Sequence, residues 1–413
     1  MFEDFTSLFQ TDFYVKVWQF ISATWPVWLP LFLVSLLLKT WFVYKRREFI
    51  RKRGNVLLEI RLPKNIEKSP AAMEMVLEGL WEPVLGTLTD AYFDGAVRDW
   101  FSLEIVSIGG EVKFFIWAFP RWRRIIESRI YGQYPGAEIV EAKDYALEVV
   151  FDLKKMRVWG VTTRLNKPDA FPIKSYIDYE LDKGNKEQEE IVDPLVPVLE
   201  YFGSLKPGEQ AWMHIMIQAH RKEGFQDARI FSKSDWREGI KKEIKKIIET
   251  ESHVTPKPDK PLLIPYLTKS QDDTIKSIER NAGKLAYDTM IRILYTAPLD
   301  VYDGMKGMGL IGSTRQFSSA NLNGIRPAFF LGIEYPWQDF LDIRKKRNQR
   351  LHLEACKRRS FFNVPYKHLN GKPYVLTTEE LATVFHFPGA VATTPSLSRV
   401  PSKKAEAPSN LPV

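Results

Sequence analysis

FSLEIVSIGGEVKFFIWAF, residues 101–119, reads as two β-rich runs around Gly109-Gly110. A two-residue hairpin turn holds its central residues at positive φ, which glycine adopts without steric cost. Pro120 ends the second run, and RWRRIIESRIYGQY after it places Trp122, Ile125, Ile126, Arg129 and Ile130 at helical spacing. Pro135-Gly136 stops that helix, and residues 137–141 return as a strand. Upstream, VLLEIRL at 56–62 is a strand closed by Pro63. Ser69-Pro70 then opens a helix whose apolar stripe is Met73, Val76, Leu77, Leu80 and Trp81. The order over residues 55–155 is β-α-β-β-α-β, the split βαβ pattern of ferredoxin-like folds, so an α+β class is expected.

A weaker echo of that order downstream predicts tandem halves. Residues 194–205 form a helix, AWMHIMIQAH at 211–220 a strand and LAYDTMIRILYTA at 285–297 another. Pro298 and a helix through Tyr302, Met305, Met308 and Ile311 follow. The second half, 193–330, then carries an insertion at about 221–284 where the first has two glycines. That insertion is helical, with Trp236, Ile240, Ile244, Ile247 and Ile248 on one face and Lys241, Lys242, Lys245 and Lys246 on others, until VTPKPDKP breaks it. Residues 156–192 read as a strand-rich connector ending in DKGNKEQEE. Residues 331–375 hold a basic helix, RKKRNQRLHLEACKRR at 344–359, and an aromatic segment at 361–366. In residues 376–413, TTEE at 377–380 is a capping box that opens a short helix. Pro395, Pro401, Pro408 and Pro412 mark the remainder as an extended strap.

The N-terminus differs in kind. Between Lys16 and Lys39 no residue is charged. About 20 apolar residues cross a bilayer's hydrocarbon core, so residues 17–44 are expected to be one transmembrane helix. Leu31 and Leu36 meet lipid tails, and Trp18, Trp25, Trp28, Trp41 and Tyr44 suit the interfaces. Pro26 and Pro30 each remove a backbone donor, which predicts a kinked outer part and a regular stretch over 29–44. Lys45, Arg46, Arg47, Arg51, Lys52 and Arg53 make residues 45–54 a basic stop, while Glu3, Asp4 and Asp12 lie in the short segment 1–16. Bases stay on the cytoplasmic side, so the N-terminus is expected outside the plasma membrane and the bulk of the chain inside. A cleaved signal peptide would begin with bases and have a shorter core, unlike MFEDFTSLFQ.

Beyond this anchor the chain is long enough for one large domain or two ordinary ones. A hydrophobic content of 45% excludes wholesale disorder. The net charge of +8 points to an acidic partner, but the bases beside the span account for much of it and suit anionic lipid. Cys356 is the single cysteine, so no intramolecular disulfide forms, and it reads as a small residue on a helix.

No catalytic constellation emerges, and a non-catalytic protein without cofactor or metal is expected. A phosphate loop needs Gly-x-x-x-x-Gly-Lys followed by a hydroxyl residue. Gly283-Lys284 and Gly371-Lys372 lack both the earlier glycine and that hydroxyl. Gly307 to Gly312 matches GxGxxG literally but lies inside a helical pattern, so it reads as a packing feature or hinge. His214, His220, His253, His352, His368 and His386 show no zinc spacing. Of the basic stretches, Arg344, Lys345, Lys346, Arg347 and Arg350 make the better candidate for nucleic acid or a partner, because acidic neighbours dilute Lys241 to Lys246.

Several segments carry a resemblance. The anchor with its basic stop, LEIRLPKNIEKSPAAMEMVLEGLW, SIGGEVKFFIWAFPRWRRIIESRIYGQYPGAEIVEA and LTTEELATVFHFPGAVATTPSLSRVPSKKAEAPSNLP together resemble the region ahead of the motor in membrane-bound ATPases of type IV secretion and conjugation. This is the HerA-like and coupling-protein class found in candidate-phyla bacteria. The resemblance implies a module that positions, and forms a homo-oligomer (a hexamer) with, a motor moving DNA or protein across the membrane. In that class the strap leads into the nucleotide-binding domain. The residues given stop at Pro412-Val413 without Walker residues, so the motor is expected as a separate chain or a continuation of this one. Leu381, Val384, Phe385 and Phe387, too apolar for an isolated turn, are the expected docking residues for it, or else lie on the chain's own body. The alternative function is an adaptor that binds nucleic acid and recruits it to a channel.

Overall fold

The computed structural model describes residues 3–63, 68–183, 192–222, 235–251, 267–331, 337, 339–389 and 399–400. VTPKPDKP, most of DKGNKEQEE and the strap apart from 399–400 lie outside them. The chain divides into two compact units, Met1–Lys52 with Gly86–Val97, and Arg53–Leu85 with Arg98–Val413.

In the first unit, helix α1 (Glu3–Arg53) runs without a break through Pro26 and Pro30. The outer part, expected to be kinked or irregular, is helical throughout. Each proline costs one i to i−4 bond, and the two stand four residues apart, so the losses stack on one face while neighbouring bonds persist. The hydroxyls within the apolar run bond back to the helix itself: Thr24 Oγ1 donates to the Phe20 carbonyl at 2.7 Å and Thr40 Oγ1 to the Leu36 carbonyl at 3.0 Å. The basic stop is the last turns of this same helix.

The second unit is a mixed α+β body built on one sheet. Strands β1 (Val56–Pro63), β2 (Phe101–Ile108), β3 (Glu111–Ala118) and β4 (Glu138–Glu141) stand in the order β4-β1-β3-β2, each neighbour antiparallel. Helix α2 (Ala71–Gly79) connects β1 to β2, and α3 (Arg123–Gln133) connects β3 to β4. After the short α4 (Tyr145–Glu148), β5 (Met156–Leu165), β6 (Gln210–Ala219), β7 (Ala286–Pro298) and β8 (Ile325–Phe330) stand in the order β6-β7-β5-β8. Here α5 (Val196–Gly203) precedes β6, and α8 (Gly304–Gly312) follows β7. The two quartets have the same internal order read from opposite ends. They join through β2 and β6, antiparallel from Phe101 opposite Ile217 to Ile108 opposite Gln210.

Residues 156–165, expected within a connector, are thus a strand between β7 and β8, and MRVWGVTTRL is buried along most of its length. Gly109 and Gly110 form the β2–β3 turn with φ of 63° and 93°. Between β6 and β7 lie α6 (Trp236–Glu251) and α7 (Lys269–Ala282). Trp236, Ile240 and Ile247 of α6 are buried against Ile275 and Ile278 of α7, and the four lysines of α6 point to solvent. On α8 the expected stripe is displaced, since Met305 and Met308 are exposed while Gly307, Leu310 and Ile311 are buried. A Cβ on Gly307 would strike the Trp159 ring, and one on Gly309 the Tyr201 hydroxyl, so GxGxxG is a packing face. Helix α9 (Ile343–Lys357), β9 (Tyr374–Thr377) on β7, α10 (Thr378–Val384) and β10 (Arg399–Val400), parallel to β1, complete the body.

Candidate functional site

Among the described residues, more than half of the exposed large apolar side chains lie on helix α1. Over Tyr14–Arg53 it is long and apolar enough to cross a membrane, and none of its apolar window is buried. Trp18, Trp25, Trp28, Leu31, Leu36, Trp41 and Tyr44 are all exposed. Exposed side chains of this size along one continuous helix are a liability in water and ordinary in lipid. Of the basic stop, Lys45 and Lys52 flank Glu48 at 3.8 and 2.8 Å, and Arg47 and Arg51 are exposed. Arg53 also has partners close in the fold: its Nη2 donates to Asp99 Oδ2 at 3.1 Å and its guanidinium lies 4.3 Å from the centre of the Phe119 ring. Asp99 also accepts from Arg121 Nε at 2.6 Å. Arg53 is half-buried in these ion pairs.

The basic patch is partly consumed in the same way. At the N-terminus of α9, Asp339 accepts from the backbone nitrogens of Arg344 at 2.9 Å and Lys345 at 2.8 Å. Those amides would otherwise suit a phosphate. Lys345 lies 3.9 Å from Asp342, and Lys346 Nζ donates to the Leu341 carbonyl at 2.9 Å. Arg344, Lys346, Arg347 and Arg350 remain exposed.

Of the two expectations for the docking residues, the structure takes the second, the chain's own body. Leu381, Val384, Phe385 and Phe387 are all within the core. Phe385 and Phe387 pack edge-on against Phe114 at 5.8 and 5.5 Å, and Phe387 against Tyr134 at 4.8 Å. Polar bonds pin the helix above them. Thr377 and Glu380 form the capping box, and Glu380 also accepts from the Ile173 nitrogen at 2.8 Å and Asn281 Nδ2 at 3.1 Å. Burial nevertheless pushes the Glu380 carboxyl up to about 7. Glu379 accepts from Ser175 Oγ at 2.6 Å and pairs with Arg280 at 3.0 Å. A helix held this way has no face left for a motor.

One polar cluster escaped sequence reading. Sheet register places Glu104 on β2, His214 on β6, Arg292 on β7 and Thr162 on β5 in one row across adjacent strands, all of them buried. Arg359 donates to Glu104 Oε1 at 2.9 Å and to Asp144 Oδ2 at 2.6 Å. Tyr145 donates to Glu104 Oε2 at 2.6 Å and lies 2.8 Å from His214 Nε2. Burial alone would raise the Glu104 carboxyl, but Arg359 and His214 override it and hold it at about 2. Burial pushes His214 down to about 4 and His352 to about 3, the latter with neither ring nitrogen hydrogen-bonded. Arg292 donates to the Ser360 carbonyl at 2.8 Å. These bonds fasten the segment after α9 onto the sheet. Glu104, Tyr145 and His214 are all buried, and the cluster reads as a fastener. The sequence signal was faint: a lone charge or imidazole in each of several apolar strands.

Clefts on the body are lined by described residues. One, of about 400 Å³, is lined by Lys68, Glu74, Met75, Gln133, Tyr176 and Lys284, of which Lys284 and Tyr176 donate to Glu74 at 2.7 and 2.6 Å. Another, of about 310 Å³, lies beside Lys167, whose ammonium donates to the carbonyls of Ala320 and Asn321 at 2.9 and 2.8 Å. Among the described residues no group of three or more His, Cys, Asp or Glu could hold a metal ion. No protein-family model matches the chain, and no curated protein matches it.

Proposed function

We propose that this chain is a non-catalytic, single-span membrane anchor whose body positions a motor ATPase for transfer of DNA or protein across the membrane. The observation that carries the anchor is the contrast in covering: the body's strands and helices enclose an apolar core, whereas none of the apolar window of α1 is buried. In this reading the N-terminus is outside and the body cytoplasmic, set by Lys45, Arg46, Arg47, Arg51, Lys52 and Arg53. The two quartets of strands are read as ferredoxin-like halves, and their pseudo-symmetric order supports that. The motor, supplied in trans or in cis, and sixfold assembly rest on the sequence resemblance, with the contact now sought on the body's outer surface rather than on Phe385 and its neighbours.

Reporters test the topology. One fused after Arg53 is expected to read as cytoplasmic and one before Phe5 as external, with orientation scrambled when the bases become Gln. Unchanged orientation in that variant overturns the charge rule here. Purification of the tagged full chain from membranes is expected to retain a P-loop ATPase, and its absence overturns the positioning role.

Exposed Arg344, Lys346, Arg347 and Arg350 favour a second reading, an adaptor for nucleic acid. Neutralised phosphates make such binding fall steeply with salt. A flat salt response removes that reading.

A further inference from the structure

Gly86–Val97 belongs with α1 rather than with the body. Tyr92 meets Phe42 edge-on with ring centres 5.7 Å apart. Gly95, with φ of 71°, lies so close to the helix that a Cβ there would be 2.6 Å from the Lys45 carbonyl carbon and 2.7 Å from the Arg46 nitrogen. Only glycine permits both that backbone angle and that approach. Within the segment, the Ala96 nitrogen donates to the Asp90 carbonyl at 2.9 Å, and Asp90 Oδ2 accepts from the nitrogen and hydroxyl of Thr87 at 2.8 and 2.9 Å. Ala91 is buried, and yet Leu88 and Phe93 are turned outward with 45% and 68% of their surfaces exposed.

The height of the grip along α1 says what those two residues meet. Phe42 is four residues past Leu38, which ends the uncharged run, and at 1.5 Å per residue that is about 6 Å. A headgroup layer is roughly 5–8 Å thick on each side of the hydrocarbon. Trp41 and Tyr44, exposed at the same level, are residues that favour that layer. We propose that Gly86–Val97 is an interfacial collar, which grips α1 at residues 42–46 and lays Leu88 and Phe93 into the headgroup layer of the bilayer that α1 crosses. The collar sets how deep the helix sits and resists its sliding. It rests on the anchor reading above.

The test uses the full chain with Cys356→Ala and a single new cysteine at Leu88, Phe93 or Tyr44, each carrying an environment-sensitive fluorophore. Proteins are placed in nanodiscs of phosphatidylcholine and phosphatidylglycerol. Labels at 88 and 93 are expected to be quenched by a headgroup-proximal nitroxide lipid within about twofold of the label at 44, and to resist aqueous iodide. Adding Gly95→Val, or separately Phe42→Ala, is expected to abolish lipid quenching at 93 while leaving it intact at 44. Iodide access at 88 and 93 with lipid quenching confined to 44 overturns the collar. Quenching at 93 that survives both Gly95→Val and Phe42→Ala overturns the grip. A label at 44 that lipid does not quench overturns the anchor itself.

Discussion

Residues 31–38 and residues 381–387 are both short, strongly apolar stretches that no neighbouring sequence obviously covers. One lies bare along α1, and every residue of the other is buried in the body. Apolar content says that a partner is needed without saying where it comes from. The difference lies in polar detail. LATVF follows a capping box whose Thr377 and Glu380 reach Asn281 and Ile173, so the helix is steered inward by bonds distant in sequence. The α1 run has hydroxyls that bond only to their own helix among the contacts described, which suits a solvent unable to hydrogen-bond.

Truncation separates these two regions most strongly. Leu381→Ala and Phe385→Ala are each expected to destabilise the body by about 3–5 kcal/mol, because rigid core cannot close over the void. Leu31→Ala and Leu36→Ala should leave the body's unfolding within about 0.5 kcal/mol of the parent. Unfolding monitored by near-ultraviolet circular dichroism in detergent measures both. Equal losses in the two regions would make α1 part of the body's folding unit.

Acid probes the buried cluster. His352 is depressed to about 3 when folded and titrates near 6.5 when unfolded, so the unfolded chain takes up its proton first and stability is lost as pH falls below 6.5. The cost is about 2 kcal/mol by pH 5. Glu380, raised to about 7, shifts stability in the opposite direction over part of that range, so parent and variant must be compared at each pH. His352→Leu is expected to gain about 2 kcal/mol on the parent between pH 7 and pH 5, read from urea unfolding. A constant difference would place a proton-accepting partner beside that ring.

A hairpin turn is a more local test. Gly110→Val should cost about 2 kcal/mol, because its φ is 93° and a Cβ would approach the Leu205 carbonyl oxygen to 2.6 Å. Gly109→Val faces open space apart from Pro207 and should cost about 1 kcal/mol. Thermal melts that rank the two in reverse would show that close approach matters less than the backbone angle. The smallest effect is expected on the surface. Replacing Arg344, Lys346, Arg347 and Arg350 with Gln together should move the body's stability by less than about 0.5 kcal/mol, since these side chains are exposed. A larger loss would reveal a structural role for the patch.

Much of this architecture could be read from local pattern. The glycine pair, the prolines after strands, the capping box at Thr377 and the uncharged run before Lys39 are short-range signals, because φ limits, missing donors and apolar length act within a few residues. The β-α-β-β-α-β order followed from them, and the strand-rich stretch at 156–165 was visible as β without its place in the sheet. What stayed hidden depends on pairing across long separations. Glu104, His214 and Arg292 are single polar residues in apolar runs, and only strand register brings them into a row where Arg359, 255 residues beyond Glu104, completes the charge balance. Phe385 and Phe387 could have served a partner or the interior equally well until the packing of Phe114 and Tyr134 supplied a surface for them. Burial is non-directional and falls to whichever apolar surface the folded chain brings within reach, so composition marks the need while topology supplies the partner.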